Sequence, residues 1–263
     1  MNLALKDKVI MVAASSKGLG FGAAEAVARE GARVSLASRT AKDIEAAAAK
    51  LRDQYGIKAH GFTFDASNSE SIQDWTQATL HAFGTIDGLV VNAGGPPAGT
   101  FDKFDDAAWA SAFELTLMSS VRMIRAVLPT MKKQQSGSIC TVTSTSFKEP
   151  NDILLLSNVF RSGVVSLVKS LSRDLAPSGI RINNLVPGRI DTDRVRSLDQ
   201  INADKKGVSV AQQKASQEQT IPLGRYGTIQ EFGNAAAFLL SDAARYITGT
   251  TLIVDGGKTR TVW

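Results

Sequence analysis

The 263-residue sequence is poor in the side chains that most often carry metal or redox chemistry. Its one cysteine, Cys140, excludes a disulfide within the chain and lies in an apolar run that favours burial over reactivity. The two histidines, His60 and His81, have no cysteine or carboxylate cluster beside them. The sequence therefore predicts no metal site, and the lone thiol is compatible with a reducing compartment.

Long apolar runs and blocks of like charge are also absent. No uninterrupted apolar stretch approaches the length that spans a bilayer, and Met1 to Lys8 contain no signal-peptide core. The 30 Lys and Arg residues exceed the 25 Asp and Glu residues, which gives a net charge of +5, but the two signs are interleaved along the chain. We therefore expect a cytoplasmic protein that binds neither membranes nor nucleic acid.

Short apolar or β-branched runs alternate with longer segments of helical period. This alternation predicts a doubly wound α/β Rossmann fold, in which helices cover both faces of a seven-stranded, mostly parallel sheet. The predicted strands are Val9–Ala13, Arg33–Ala37, Ala59–Phe64, Leu89–Val91, Ser138–Thr143, Arg181–Val186 and Leu252–Val254. The predicted helices cover 19–30, 41–54, 69–83, 106–132, 155–176 and 229–240. No linker divides the chain, so 1–263 is predicted to be a single dinucleotide-binding and catalytic domain.

The segment Asp191–Thr220 is rich in Lys, Gln, Asp and Ser and has no clear period, so it is predicted to be the least structured long segment. In this architecture it lies beside the ligand crevice. It is either a mobile lid or a surface excursion.

A glycine-rich turn follows the first strand, at Ala13-Ala14-Ser15-Ser16-Lys17-Gly18-Leu19-Gly20. Gly18 and Gly20 would let the backbone approach a pyrophosphate, whose charge is favoured at the N-terminus of the next helix. Such turns also serve tight packing alone, so the loop by itself does not decide between these roles.

The residues after the second strand, Ser38 and Arg39, indicate which dinucleotide is bound. An acidic residue at this place would bind the free 2′-hydroxyl of NAD(H), whereas Arg39 offers a guanidinium to a 2′-phosphate. Lys17 would add a second positive charge facing the same group. We therefore predict NADP(H) as the cofactor; the alternative is a pair of solvated basic residues.

Taken in order, the motifs resemble those of the short-chain dehydrogenase/reductase family over essentially the whole chain. Asp65, Asn92-Ala93-Gly94, Pro187-Gly188 with Ile190 and Thr192, and the ending Val254-Asp255-Gly256-Gly257 are similar to family motifs. The resemblance implies an adenine contact for Asp65, a cofactor-lining turn at Asn92 and a nicotinamide contact after Pro187. One departure is Ala14, where the family has glycine, and this alanine is expected to have a negative φ.

The cofactor site predicted from the loop and the resemblance has seventeen members. They are Ala14, Ser16, Lys17, Gly18, Leu19, Gly20, Ser38, Arg39, Asp65, Asn92, Ala93, Gly94, Arg161, Pro187, Gly188, Ile190 and Thr192.

The catalytic positions depart from the family further. The family uses a serine, a Tyr-x-x-x-Lys pair and an asparagine; the matching positions here are Ser144, then Ser157 and Arg161, and Thr116. A serine is a far poorer acid than tyrosine, and Arg161 keeps its proton at accessible pH. Arg161 lies one helical turn from Ser157, where it would bind the nicotinamide ribose or polarise a carbonyl oxygen. The proton would then arrive through water held by Ser144 and Ser157, or from Lys148.

Two functions follow from these departures. The first is an atypical NADP(H)-dependent oxidoreductase that reduces a small or acyl-chain ketone or oxidises a secondary alcohol. The second is a catalytically silent NADP(H)-binding protein that acts as a sensor or assembly subunit.

Specificity is expected to reside in Asp191–Thr220 and in the loop Gly95–Thr100. Arg194 and Arg196 either meet an acidic substrate group or lie in solvent. The resemblance implies a homotetramer, and the apolar ending Val262-Trp263 either covers a neighbouring subunit's site or frays.

Overall fold

The computed structural model describes residues 2–262, whose seven strands form one sheet of order β3-β2-β1-β4-β5-β6-β7. Every neighbouring pair is parallel. The strands are β1 (Val9–Ala13), β2 (Arg33–Ser38), β3 (Ala59–Thr63), β4 (Gly88–Val91), β5 (Gly137–Val142), β6 (Ile180–Pro187) and β7 (Thr251–Val254). The predicted doubly wound Rossmann fold is confirmed. Because the strand order reverses between β1 and β4, a crevice opens at the carboxyl ends of these two strands.

Nine α-helices connect the strands within the described residues. They are α1 (Gly18–Arg29), α2 (Ala41–Tyr55), α3 (Ser69–Phe83), α4 (Asp106–Phe113), α5 (Ser119–Gln134), α6 (Leu155–Leu175), α7 (Asp193–Lys206), α8 (Val210–Glu218) and α9 (Ile229–Leu240). Helices α1, α2 and α9 build the apolar core on one face of the sheet, and α3, α5 and α6 build it on the other.

The side chains of β1 show why a central strand of this sheet is apolar throughout. Ile10 and Val12 enter the core beneath α1 and α9, whereas Met11 and Ala13 enter the opposite core. Since successive side chains of a strand point to opposite faces, a strand covered by helices on both sides has no solvent-facing position.

Helices α1 and α9 touch through their backbones at Gly22 and Gly233. A Cβ built on Gly22 would overlap the carbonyl oxygen of Ile229, and one built on Gly233 would overlap that of Gly22. This crossing holds α1 against the sheet and sets where its N-terminus meets the crevice.

The helix predicted over 106–132 is interrupted. The structure has α4, then a π-helical turn at Glu114–Met118, then α5, which continues to Gln134. A π turn leaves carbonyl groups outside the regular i to i−4 ladder. The hydroxyls of Ser119 and Ser120 donate to the carbonyl oxygens of Leu115 and Thr116 and satisfy them locally.

The prediction that Asp191–Thr220 is the least structured long segment is wrong, because α7 and α8 occupy most of it. Both helices are polar on nearly all sides and therefore show no apolar period. Their ends are capped: the Thr192 hydroxyl accepts from the Val195 amide, and Ser209 forms a reciprocal capping box with Gln212.

Two features are absent from residues 2–262. None of their helices combines the length and apolar character needed to cross a membrane. Nor does this part of the chain bring three or more His, Cys, Asp or Glu side chains together as a metal-binding group.

Replacing Gly233 with Ala tests the helix crossing. The added methyl group overlaps the α1 backbone, which cannot yield as a side chain would, so we expect a loss of about 2 kcal/mol in unfolding free energy, measured by urea denaturation.

The matched control is Gly163→Ala in α6. There the nearest atoms are the ends of the Leu117 side chain, at 3.3 Å, and stability should stay level or rise slightly with the gain in helix propensity. Equal urea-denaturation midpoints for Gly233→Ala and the natural chain would contradict the close backbone contact between α1 and α9.

Candidate active site

The glycine-rich turn between β1 and α1 is tied to the neighbouring strand by a buried serine. The Ser15 hydroxyl donates to the Val12 carbonyl oxygen at 2.7 Å and accepts from the Ala37 amide at 3.1 Å. A Cβ on Gly20 would overlap the Ala14 carbonyl, so only glycine permits this compact turn. Helix α1 begins with no side-chain cap at Lys17, which leaves its first N–H groups available to an anion.

Ala14 does not have the negative φ expected from the sequence. Its φ is +49°, in the left-handed region, and Gly18 follows in the same region at +60°. The turn therefore keeps the shape that glycine normally provides, and the alanine bears a cost of about 1–2 kcal/mol.

Lys17 has a partner that the sequence did not suggest. Its ammonium group lies 3.0 Å from a carboxylate oxygen of Asp193, in the first turn of α7. The prediction places Lys17 beside the adenosine phosphate; in the structure it links the glycine-rich turn to α7 across the crevice. Ser16 and Leu19 lie in the same turn, and Leu19 packs against the core.

At the end of β2, Ser38 and Arg39 differ in exposure. The Ser38 hydroxyl is buried and has no hydrogen-bond partner among the described residues. Arg39 is exposed and forms no ion pair within that part of the chain. A buried hydroxyl without a partner beside a free guanidinium leaves room for a polar ligand.

The carboxylate of Asp65, which follows β3, is hydrogen-bonded to a residue close to it in the sequence. Its carboxylate accepts from the amide and the hydroxyl of Ser67, at 2.9 and 2.7 Å. These two hydrogen bonds and the nearby Arg39 guanidinium lower the pKa of Asp65 below its ordinary value. The carboxylate is therefore ionised at neutral pH.

The turn after β4 closes the crevice opposite the glycine-rich turn. The Asn92 side-chain amide donates to the Ala14 carbonyl oxygen at 3.4 Å and so connects the two turns. Ala93 packs against the core, and Gly94 has open space where a Cβ would lie.

The residues after β6 join that strand to α7. The amide of Gly188 donates to the Val254 carbonyl oxygen at 2.8 Å, and a Cβ on Gly188 would overlap Asp255. Ile190 is buried, and Thr192 caps α7 with its methyl group 3.8 Å from the place where a Cβ of Gly18 would be. The stretch from Pro187 to Thr192 thus reaches the same end of the crevice as the glycine-rich turn.

Ser144 follows β5 and caps a short 3₁₀ turn. Its hydroxyl oxygen accepts from the Ser146 amide at 3.3 Å, so its own proton remains available. Lys148, at the end of this turn, lies over the Phe147 ring at 5.7 Å from the ring centre. The structure therefore gives Lys148 an aromatic neighbour, and within residues 2–262 it forms no hydrogen bond with Ser144.

Arg161 connects α6 to the end of β5. Its Nε donates to the Ser157 hydroxyl oxygen at 3.2 Å, and its Nη1 donates to the Val142 carbonyl oxygen at 2.9 Å. Burial, with a smaller effect from the Arg194 guanidinium, lowers the pKa of Arg161 to about 10. Arg161 remains a cation at neutral pH, as the sequence predicted.

Thr116 lies in the π turn, against which α6 packs. It is buried, and its hydroxyl has no partner among the described residues. Thr116 therefore supplies one more unpaired polar atom in the turn that packs against α6.

The structure thus brings the predicted residues after β1, β2, β4, β5 and β6 to one edge of the sheet.

Comparison with known proteins agrees with this arrangement. Residues 13–259 match the family described as enoyl-(acyl carrier protein) reductase. The 3-oxoacyl-[acyl-carrier-protein] reductase of Vibrio cholerae is 33% identical over 253 residues, covering 96% of this chain and 98% of the relative.

The chain belongs to the short-chain dehydrogenase/reductase family.

Two solved structures of the short-chain dehydrogenase/reductase fold resemble it throughout. L-sorbose reductase from Gluconobacter frateurii, with NADPH and L-sorbose, has a TM-score of 0.95 at 27% identity and covers 100% of both chains. An NADPH-bound short chain oxidoreductase from Pseudomonas aeruginosa PAO1, described as containing an atypical catalytic center, has a TM-score of 0.88 at 29% identity and covers 98% of this chain and 100% of its own. Membership confirms the family predicted from the sequence.

Sequence reasoning missed a buried cluster that anchors α7 in this family member. The Arg189 guanidinium lies 2.6 Å from one Asp199 carboxylate oxygen, and the Tyr226 hydroxyl donates to the other at 2.8 Å. Burial, followed by the hydrogen bond to Asp199, raises the pKa of Tyr226 to about 12. The cluster was missed because Asp199 lies in Asp191–Thr220, the segment that was predicted to be irregular. The capping residues Thr192, Ser209 and Gln212 were the sequence signal that helices form in this segment.

Replacing Ala14 with Gly tests the strain in the glycine-rich turn. Glycine adopts a φ of +49° without the Cβ clash, so unfolding free energy should rise by about 1 kcal/mol in urea denaturation.

Ala13→Gly is the control. Ala13 is a fully buried residue of β1, where glycine relieves no strain and adds backbone freedom to the unfolded chain. This variant should lower the unfolding free energy by at least roughly 0.5–1 kcal/mol. Destabilisation by Ala14→Gly of the same size would show that the turn bears no strain.

Proposed function

We propose that the chain is an NADP(H)-dependent oxidoreductase that interconverts a ketone and a secondary alcohol at Ser144, Ser157, Arg161 and Thr116. The observation that carries this proposal is the pair of hydrogen bonds from Arg161 to the Ser157 hydroxyl and to the Val142 carbonyl. They hold a cation and a hydroxyl together at the end of β5, two residues before Ser144.

The residues at the crevice fit a phosphorylated dinucleotide. The uncapped start of α1 and the glycine-rich turn would hold the pyrophosphate, while Ser38 and Arg39 would hold the 2′-phosphate. The unpartnered, buried Ser38 hydroxyl is the strongest sign of a polar ligand there. Asn92 and the stretch from Pro187 to Thr192 would hold the nicotinamide half. The bound cofactor would supply or accept a hydride.

Ser157 is arranged to donate a hydrogen bond toward the substrate. Because its oxygen accepts from Arg161 Nε, its own proton is free for a carbonyl oxygen in the crevice. Ser144 is placed similarly, since its oxygen accepts from the Ser146 amide. The Arg161 charge behind Ser157 would stabilise negative charge that develops on the substrate oxygen.

The proton that completes the alcohol would come from water held by Ser144 and Ser157. Neither serine is an acid of tyrosine's strength, and Arg161 keeps its proton below about pH 10. The unpaired Thr116 hydroxyl offers this water a further partner. The NADPH-bound short chain oxidoreductase from Pseudomonas aeruginosa is described as containing an atypical catalytic center, which supports cofactor binding beside a catalytic centre that departs from the usual one.

We also propose that the protein forms a homotetramer through α4, α5 and α6. An aromatic cluster on α4 and α6 supports this: the Trp109 and Phe113 rings lie 5.7 and 5.8 Å from the ring of Phe160. Phe113 is 37% exposed and Val159 46% exposed, so apolar surface remains for a second copy of the chain.

Replacing Arg39 with Asp tests the cofactor assignment. The loss of a guanidinium and the gain of a carboxylate should weaken NADPH binding at least about 10–100-fold and change NADH binding little, as measured by calorimetry.

Lys133→Asp controls for net charge, because Lys133 is exposed at the far end of α5 and the charge change is identical. Equal losses for NADPH and NADH in Arg39→Asp would defeat the assignment of NADP(H).

Variants of Ser157 and Arg161 test the catalytic proposal. Ser157→Ala and Arg161→Gln should each lower kcat about 10²–10³-fold, because each removes stabilisation of the developing oxyanion. In the natural enzyme kcat should fall as pH rises through about 10, where Arg161 loses its charge, and Arg161→Gln should lack this fall. Circular dichroism at each pH separates this loss from unfolding.

The double variant Ser157→Tyr with Arg161→Lys separates an enzyme from a silent binding protein. If the natural chain binds NADPH but turns over no ketone or alcohol in a broad panel, while the double variant does, then the scaffold is competent and the native residues are not catalytic. That result would favour the sensor or assembly function.

A further inference from the structure

A polar cleft of about 400 Å³ lies between the loop that precedes α6 and the helix pair α7 and α8. One side is formed by residues 150–153, which we call the loop wall. The other side is formed by side chains of α7 and α8, which we call the helix wall. The four residues proposed for catalysis do not line this cleft, so it is a space beside the reacting groups.

The loop wall connects the two proposed catalytic serines. Residues 150–153 lie between the turn that Ser144 caps and the start of α6, which carries Ser157. Asn158 fixes this wall to the helix: its Nδ2 donates to the Asn151 carbonyl oxygen at 2.9 Å, and its Oδ1 accepts from the Asn151 amide at 3.4 Å. A substrate held at Ser144 and Ser157 therefore has the loop wall beside it.

Two distant segments hold the loop wall in place. The Gly99 amide, in the loop that follows β4, donates to the Ile153 carbonyl oxygen at 2.7 Å. The Arg260 amide, near the end of the chain, donates to the Glu149 carboxylate at 2.7 Å. The cleft is therefore formed by the fold itself, with three segments of the chain meeting at one wall.

Four side-chain amides line the cleft: Asn151, Asn202, Gln213 and Gln217. Gln213 is only 2% exposed; its Oε1 accepts from the Lys206 ammonium group at 3.0 Å, but its Nε2 forms no hydrogen bond within residues 2–262. The side chains of Asn202 and Gln217 likewise have no hydrogen-bond partner in that part of the chain. A largely buried amide that keeps an unused donor at a cleft indicates a polar ligand.

The charges around the cleft are balanced. The Arg189 guanidinium lines it but lies 2.6 Å from an Asp199 carboxylate oxygen. The other two charged residues of the lining, Lys206 and Asp152, have opposite signs. A carboxylate or phosphate would therefore meet no excess of positive charge, and the lining favours a neutral ligand.

Apolar surface is scarce in the cleft. Of the nine described residues that line it, Pro150 and Ile153 are apolar. A hydrocarbon chain placed there would leave the amides without partners, at a cost of about 1–3 kcal/mol for each buried group. A hydroxyl group, in contrast, both donates and accepts hydrogen bonds, as a side-chain amide does. The lining therefore fits a chain of hydroxyl groups and disfavours an acyl chain.

We infer that this cleft binds hydroxyl groups of the substrate, so that the substrate class is a polyhydroxylated ketone or the corresponding polyol. This inference rests on the proposed function of the neighbouring serines and narrows its ketones to those whose carbon chain bears hydroxyl groups. Asn151 on the loop wall and Gln217 on the helix wall would bind them from two sides, and Gln213 would donate through Nε2. A volume near the lower end of the roughly 300–1,000 Å³ common for ligand pockets suits such a small molecule.

The test compares polyols with alcohols of the same chain length that have one hydroxyl group. Xylitol, D-sorbitol and D-mannitol are assayed with NADP⁺ against 2-pentanol and 2-hexanol. At least one polyol should exceed the simple alcohol of equal length at least about 10-fold in kcat/KM, because its further hydroxyl groups meet the amides of the cleft. Turnover of the simple alcohols with a kcat/KM equal to or above that of every polyol would overturn the inference and leave the oxidoreductase proposal standing.

Asn202→Leu and Gln217→Leu test the helix wall. Each removes an amide and keeps a side chain of similar size, and neither amide is bonded to another residue within 2–262. Each variant should lower kcat/KM for the preferred polyol about 5–100-fold, mainly through KM, and leave the simple alcohol within about twofold.

Gln200→Leu is the matched control. It makes the same change on α7 outside the cleft, where Gln200 donates to Asp204 at 2.8 Å, so the preference for the polyol should persist. A loss in Gln200→Leu equal to that in Asn202→Leu would assign the effect to the helices in general and overturn the inference.

Calorimetry with the three polyols separates this inference from the proposed function. At least one should bind the protein loaded with NADP⁺ and bind Gln217→Leu at least about 5-fold more weakly. Such binding without turnover of any alcohol or ketone would support the cleft and defeat the oxidoreductase. Absence of binding by all three polyols would overturn the inference, as would a loss of NADPH affinity in Gln217→Leu equal to the loss of polyol affinity.

Discussion

A guanidinium that has no carboxylate partner within residues 2–262 holds the proposed catalytic centre together. Arg161 is only partly exposed, and a charge taken from water must be compensated by polar contacts or it destabilises the fold. The protein supplies a carbonyl oxygen at the end of β5 and a hydroxyl one turn earlier on α6. These contacts compensate the hydrogen bonds lost to water but leave the charge itself unneutralised, so it remains able to stabilise negative charge in the crevice.

The same charge explains how a family member without the usual tyrosine and lysine would still act on a carbonyl group. A lysine beside a tyrosine lowers the pKa of the phenol and thereby assists proton donation. An arginine beside a serine cannot make the serine a comparable acid, but it can polarise the hydroxyl and oppose charge on the substrate oxygen. The chemistry is thereby shifted from direct proton donation by a side chain toward electrostatic stabilisation with a proton from water.

Several parts of the fold and site were predictable because they depend on local sequence. Strands buried on both faces are apolar almost throughout, so β1 and β5 could be predicted from their composition. The glycine-rich turn, Arg39 and the Asn92 turn follow strand ends, and parallel strands bring their carboxyl ends to one edge. The positions of Ser144, Ser157 and Arg161 came from matching the chain to the motifs of the family that it resembles, and the structure brings Arg161 into contact with Ser157.

Other features depend on residues far apart in the sequence. Helix α7 has little apolar period because its stability comes from capping by Thr192 and from the Asp199 carboxylate, which meets Arg189 and Tyr226 only after folding. The left-handed conformation of Ala14 is imposed by the need to bring β1 into α1 beneath Asn92, and local propensity opposes it.

The sequence alone was sufficient for the strand–helix alternation, which follows from hydrophobic period, and for the family and the side chains at the crevice, which follow from the resemblance of its motifs. Packing decided which of the charges are neutralised. Lys17 and Arg196 acquire carboxylate partners, whereas Arg161 and Arg194 have none in the part of the chain that the structure describes, and no pattern in the sequence distinguishes these four. The reason is physical: an ion pair depends on the distance between two groups, and only the folded chain sets that distance.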